Sequence, residues 1–283
     1  MVVASLLYLA AATALMIWRR IGVTPDYLLL LLVPVALMAG RLAGFLRLWL
    51  PFIGVLLAWE AMRGLAAQSG QPVHTGALHI DQVLFGGQIP TIRLQDWVDA
   101  IHLERPVNLA AAVVYVLHFP TTIAVGLILW LLDERRFVRY SLALLGMSFA
   151  AFCVFLVYPT APPWWAADHR AFDGFDHVLK TALPMAVSPY FHTLNPNPVA
   201  AVPSLHAAYA FLGCLVLWRD GGWLRWTSAA WCVVVWITVV YLGEHYVFDV
   251  AVGTAWAAAA WQLVNRLPRL VAPLRAVAQP PPA

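Results

Sequence analysis

Long apolar runs alternate with short polar breaks along this chain. Nearly uninterrupted apolar stretches cover 2–18, 26–39, 48–67, 108–132, 140–158, 202–218, 226–243 and 247–265. At about 1.5 Å of helix rise per residue, roughly 20 residues cross the hydrocarbon core of a bilayer. The pattern therefore predicts an all-α, polytopic integral membrane bundle of six to eight transmembrane helices. The count depends on whether the first two runs are separate spans. Two longer segments break the pattern. The first contains HIDQVLFGGQIPTIRLQDWVDAIHL (79–103), in which Gly86, Gly87 and Pro90 interrupt a mixture of apolar and polar residues. From Thr91 onward it predicts an amphipathic helix in the headgroup plane. The second, 159–201, holds seven prolines and cannot be one helix. Its aromatic stretch YPTAPPWW suits a membrane–water interface. The chain thus divides into N-terminal transmembrane helices (1–67), an outer interfacial segment (68–107), a transmembrane core (108–265) carrying the loop 159–201, and a tail (266–283).

Composition sharpens this picture. Hydrophobic residues make up 62% and charged residues 11%, against about 45–50% and about 25% in ordinary soluble domains. The mean hydropathy is +0.76. The net charge of +3 comes from scattered arginines and not from a basic patch, so no nucleic-acid partner is expected. That scatter sets an expected orientation. Arg135, Arg136 and Arg139, then Arg219 and Arg225, then Arg266, Arg269 and Arg275 fall in three breaks that the positive-inside rule assigns to the cytoplasm. Segments 68–107 and 159–201 then face outward. WRRIG (18–22) falls outside in this scheme and disagrees with it. Cys153, Cys214 and Cys232 all lie in apolar runs and read as small core residues, with neither a disulfide framework nor a zinc site. Residues 2–18 lack a basic leader and a small-residue cleavage site, so they read as a retained span.

Two stretches place polar chemistry inside apolar sequence. AAVPSLHAAYAF (200–211) puts Ser204 and His206 in the first turn of a span, behind Pro203. Proline suits the first helical position, and the free N–H groups of a first turn favour an anion. VVYLGEHYVFDVAVG (239–253) carries Glu244, His245 and Asp249. Ionisable groups at such depth are costly and mark function. His245 and Asp249, four residues apart, share a helix face. The carboxylate can accept the imidazole Nδ1–H, leaving Nε2 as a nucleophile or base. From 203 to 219 the chain crosses one way, and from 226 to 243 it crosses back. Both histidines therefore end at one face of the bilayer, expected to be the outer one. Two imidazoles, a carboxylate and an anion-binding helix start describe phosphoryl transfer.

PSLH followed by HYVFD resembles the second and third signature motifs of the type 2 phosphatidic acid phosphatase superfamily. The likeness is strongest to its inositol phosphorylceramide synthase branch, in which YPTAPPWW also has a counterpart. The resemblance is firm over 158–253, faint at LFGGQIPT and absent from the first spans. It implies that His245 attacks phosphorus and becomes a phosphohistidine, with Asp249 orienting it. His206 would protonate the leaving oxygen and later deprotonate the acceptor, and Ser204 with nearby amides would hold phosphate oxygens. The phosphatase branch adds a Lys and Arg-Pro motif and an arginine six residues before the nucleophile. Here that position is Val239, and Arg105–Pro106 has no matching lysine. A phosphomonoester carries nearly two charges and needs those cations; a phosphodiester carries one. The departure favours a diester, hence headgroup exchange between lipids.

Further candidate substrate contacts are Tyr158, Arg170, His192 and Asn197; in FHTLNPNPV, His192, Asn195 and Asn197 also suit a turn. His118, alone in its span, reads as structural unless it faces the site. Glu244 receives no role. No cofactor is expected, and no carboxylate cluster suits magnesium. The expected function is a lipid phosphotransferase in a bacterial plasma membrane with an outward-facing site, whose partners are a lipid phosphate ester and a lipid or water acceptor. The alternatives are a lipid or polyprenyl phosphate phosphatase on the same scaffold and a non-catalytic lipid transporter.

Overall fold

A computed structural model describes residues 2–18, 25–182 and 197–266. Arg19, Arg20, His192, Asn195 and the tail from 267 lie outside the described residues. The helices are α1 (Val2–Trp18), α2 (Pro25–Met38), α3 (Leu42–Ala67), α4 (Gly76–Leu84), α5 (Pro90–Ala100), α6 (Glu104–Leu132), α7 (Glu134–Val157), α8 (Pro163–Asp168), α9 (Val178–Ala182), α10 (Leu205–Leu217), α11 (Gly222–Tyr241) and α12 (Val247–Arg266). No strand forms among the described residues. Five of these helices, α3, α6, α7, α11 and α12, are long and apolar enough to cross a membrane. The protein is an all-α polytopic membrane bundle.

The first two apolar runs form separate helices, α1 and α2. The central core lies among α3, α6 and α7, where Phe45, Trp49, Trp130, Phe137 and Tyr140 are fully or almost fully buried. Trp49 stacks on Phe137 with ring centroids 4.7 Å apart. α10 packs on α11 and α12, and α12 packs in turn on α7. The outer faces stay apolar and exposed, as at Val233, Val234 and Ile237 of α11, because lipid and not water is their solvent.

Polar contacts tie one end of the bundle. Arg41 pairs with Glu134 at the start of α7. Arg136 grips Asp220 with both guanidinium nitrogens, at 2.6 and 2.7 Å. Arg139 reaches Asn265 near the end of α12. The sequence's basic breaks thus share one end, and the histidine motifs lie at the other.

The described parts of the two segments that broke the apolar pattern pack at that other end. α5 buries Thr91, Gln95 and Val98 on one face. The Gln95 amide donates to the carbonyls of Asp176 and Tyr241, at 2.9 and 3.0 Å. It thereby joins the proline-rich loop to the end of α11. The sequence reading saw the α5 helix; α4, ahead of the two glycines, is an addition the structure makes.

Candidate active site

The turn before α10 starts from its cap. Ser204 takes the extended conformation of an N-cap, and its hydroxyl accepts the Ala207 N–H at 3.3 Å. Pro203 therefore sits one residue before the cap, not at the first helical position that the sequence suggested. Serine wins the cap because its side chain can satisfy a free N–H of the first turn, which proline cannot do. Ser204 is fully buried, so its hydroxyl works within the turn. Its own N–H donates to the Asp249 carbonyl at 3.2 Å. This brings the PSLH turn against α12. Gly253 permits the approach: a Cβ there would sit 2.2 Å from the Ser204 carbonyl oxygen.

The out-and-back hairpin of α10 and α11 brings His206 to His245. His206 Nδ1 lies 3.0 Å from His245 Nε2. His245 Nδ1 lies 3.0 Å from the Ala201 carbonyl oxygen and 3.5 Å from Asp249 Oδ2. A carbonyl can only accept, so Nδ1 of His245 carries the proton and Nε2 of the neutral ring holds a lone pair. The contact with His206 then requires a proton on His206 Nδ1. The sequence reading gave the His245 proton to Asp249, whereas the carbonyl is the nearer acceptor. Asp249 Oδ2 also accepts the Tyr246 N–H at 2.8 Å. Its carboxylate thus holds the turn that presents His245. His245 is 4% exposed and Asp249 fully buried, so both are screened from bulk water.

Ala201 is positioned by the YPTAPP stretch. Thr160 bridges His74 on one side and Ala200 on the other. The Thr160 carbonyl accepts the Ala201 N–H at 3.2 Å, and its hydroxyl accepts the Val202 N–H at 2.8 Å. Trp164, at the start of α8, donates its N–H to Gly243 at 3.1 Å. Gly243 has φ 71, and a Cβ there would lie 2.3 Å from the Phe175 ring. Glycine alone suits this turn.

Asp81 was missed in the sequence. Fully buried, it extends from α4 to the start of α12 and accepts the N–H groups of Val247 and Phe248 at 2.9 and 3.0 Å. Burial raises its carboxyl pKa above the ordinary carboxylate value, and these two hydrogen bonds oppose that rise. One acidic residue inside an otherwise amphipathic stretch was the available signal.

The other candidates scatter. Asn197 is buried and its side chain accepts the Val199 N–H at 3.2 Å, a turn-forming contact. Tyr158 stacks on His74 at 3.9 Å between centroids. Arg170, with φ 60, is exposed after α8. Among the described residues, neither Tyr158 nor Arg170 hydrogen-bonds or stacks with the histidine pair. His118 does face the site, its ring centroid 4.3 Å from that of His206. No group of three or more metal-ligating side chains occurs among the described residues.

A family model described as the PAP2 superfamily matches residues 88–263. The chain belongs to that superfamily. The match contains both histidine motifs and the proline-rich loop. As a PAP2 superfamily member, the protein is an enzyme of phosphate-ester transfer or hydrolysis. It is also 28% identical over 231 residues to a phosphoinositol dihydroceramide synthase of Bacteroides thetaiotaomicron, covering 75% of this chain and 74% of the relative. No solved structure matches it.

Proposed function

We propose that this PAP2 member moves a phospho-headgroup from one membrane lipid to the hydroxyl of another through a phosphohistidine on His245. The observation that carries the reading is the relay from the Ala201 carbonyl through His245 to His206. It leaves a lone pair on His245 Nε2 and a transferable proton on His206 Nδ1, facing each other at 3.0 Å. A phosphoryl group enters between the two rings, which part to admit it. Nε2 attacks phosphorus, the bond to the leaving lipid oxygen breaks, and His206, entering the step as the imidazolium, gives that oxygen its proton and is left neutral. The acceptor hydroxyl then passes its proton to His206, its oxygen attacks phosphorus, and the P–N bond breaks. Asp249 stabilises the positive charge that develops on His245.

The charge around the site suits a diester. Arg63, in the last turns of α3, acts electrostatically on Tyr115, His118 and His206. A cation in this place matches the single negative charge of a phosphodiester. The relative's name, phosphoinositol dihydroceramide synthase, supports phosphoinositol as the group moved and a ceramide-type lipid as acceptor. The enzyme works at the outer face of a bacterial plasma membrane and needs no metal.

The test is the purified protein in mixed micelles with a phosphatidylinositol donor and a ceramide acceptor, read by mass spectrometry. Headgroup appearing on the acceptor, undiminished by EDTA, is the expected result. Release of inorganic phosphate from a lipid monoester, with no exchange, would select the phosphatase reading instead.

A further inference from the structure

The transfer steps leave a set of polar groups beside His206 unused. Tyr115 and His118 project from α6, with ring centroids 4.7 and 4.3 Å from that of His206. The Tyr115 hydroxyl lies 3.4 Å from Glu244 Oε2. Glu244 is 5% exposed, although it occupies the turn immediately before His245. Burying a tyrosine hydroxyl, an imidazole and a carboxyl together inside a lipid-embedded bundle is costly. They partly satisfy one another, His118 Nδ1 meeting the Tyr115 carbonyl oxygen, and both rings lie against His206.

Resting on the transferase reading above, we propose that Tyr115, His118 and Glu244 form a recognition wall for the headgroup retained on the transferred phosphorus, and that they select an uncharged, polyhydroxylated headgroup. The wall runs from His206, against which Tyr115 and His118 lie, to the residue next to His245. It therefore flanks the line along which the lipid oxygens leave and enter, where the retained headgroup must sit. A phenol, an imidazole and a carboxyl group can each donate and accept. Neighbouring hydroxyls on one ring require both.

The electrostatics disfavour an ammonium headgroup. Arg63 places positive charge in range of Tyr115, His118 and His206. Burial pushes the Glu244 carboxyl up to about 8, so at neutral pH it is mainly protonated. It then neither attracts an ammonium group nor repels the phosphate. Tyr115 from α6 faces it, and His245 follows it directly in the chain.

The experiment compares kcat/KM for three donors that differ only in headgroup: phosphatidylinositol, phosphatidylethanolamine and phosphatidylmethanol, with a common ceramide acceptor. The wild type should prefer the inositol donor. Tyr115→Phe and Glu244→Ala should each lower kcat/KM for that donor roughly tenfold, leave the methanol donor within about twofold, and so collapse the preference. Glu244→Gln should keep most of it. Wild-type transfer of the inositol donor should decline above about pH 8, where Glu244 loses its proton, and Glu244→Gln should lack that decline. Equal losses on the inositol and methanol donors would reduce these residues to structural ones and overturn the assignment. An unchanged preference in the variants, or a wild-type preference for ethanolamine, would also overturn it while leaving headgroup transfer intact. A wild type that transfers none of the three headgroups would remove the transferase reading, and this assignment with it.

Discussion

A backbone carbonyl determines which nitrogen of His245 keeps its lone pair. With Ala201 accepting the Nδ1–H at 3.0 Å, the lone pair falls on Nε2 and the proton facing it on His206 Nδ1. Distinct failures follow for the two histidines. His206→Ala should lose about 10²–10⁴-fold in rate on a lipid donor, whose alkoxide needs a proton. It should lose far less on a donor with a nitrophenol leaving group, and the ratio of the two rates is the measurement. Asp249→Asn keeps the shape of the turn and removes its charge. Its loss in kcat should stay below the roughly 10⁴-fold seen where an aspartate alone orients a catalytic histidine, because the Ala201 carbonyl still holds the ring. The meeting of His206 with His245 was legible in the sequence, since two crossings of known length return the chain to one face. The Ala201 contact was not, because a backbone acceptor carries no residue signature. Glu244 stood out as a charge in apolar sequence, but its partner Tyr115 lies 129 residues away.

Among the elements, α12 depends on two contacts near its N-terminal end. Gly253 lets the PSLH turn pack against it. With Gly253→Ala, the new Cβ would lie 2.2 Å from a backbone oxygen, so the turn or the helix must move. Overpacking of this kind costs about 1–3 kcal/mol. Activity should fall at least tenfold, since displacements of about 1 Å can cost far more than that. The measurements are thermal unfolding in detergent and headgroup transfer. Asp81 caps the same helix from α4. Asp81→Ala leaves the Val247 and Phe248 N–H groups without their acceptor, at a cost of about 1–3 kcal/mol. Asp81→Asn, keeping one acceptor oxygen, should lose less, and the difference in unfolding midpoint between the two reads the cap directly. The amphipathic pattern of 91–100 showed α5 in advance. It could not show that α4 caps a helix more than 160 residues on, because that pairing is set by how the whole bundle closes.

On the scale of the whole molecule, the basic breaks and the histidine motifs occupy opposite ends of the bundle. Arg41, Arg136 and Arg139 bind their partners at one end. The positive-inside rule predicts that this end faces the cytoplasm. In a background without Cys153, Cys214 and Cys232, Asp173→Cys should label from outside intact cells and Arg219→Cys only after permeabilisation. Both positions labelling from outside would contradict the orientation. The apolar runs made the bundle legible because lipid requires long, uniformly apolar helices. The short α10 was legible too, as the apolar run 202–218, but its serine cap was not, because the proline before the serine suggested an earlier helix start.

The central claim is a covalent phosphoryl group on His245, and a rapid-quench experiment tests it most directly. Purified protein is mixed with a donor lipid carrying radiolabelled phosphorus, denatured within the first turnover, digested and mapped. The account predicts an acid-labile, base-stable label on the peptide containing His245, absent from His245→Ala and present in His206→Ala when the donor has a nitrophenol leaving group. Label on any other residue, or headgroup transfer by a His245→Ala enzyme, would contradict it.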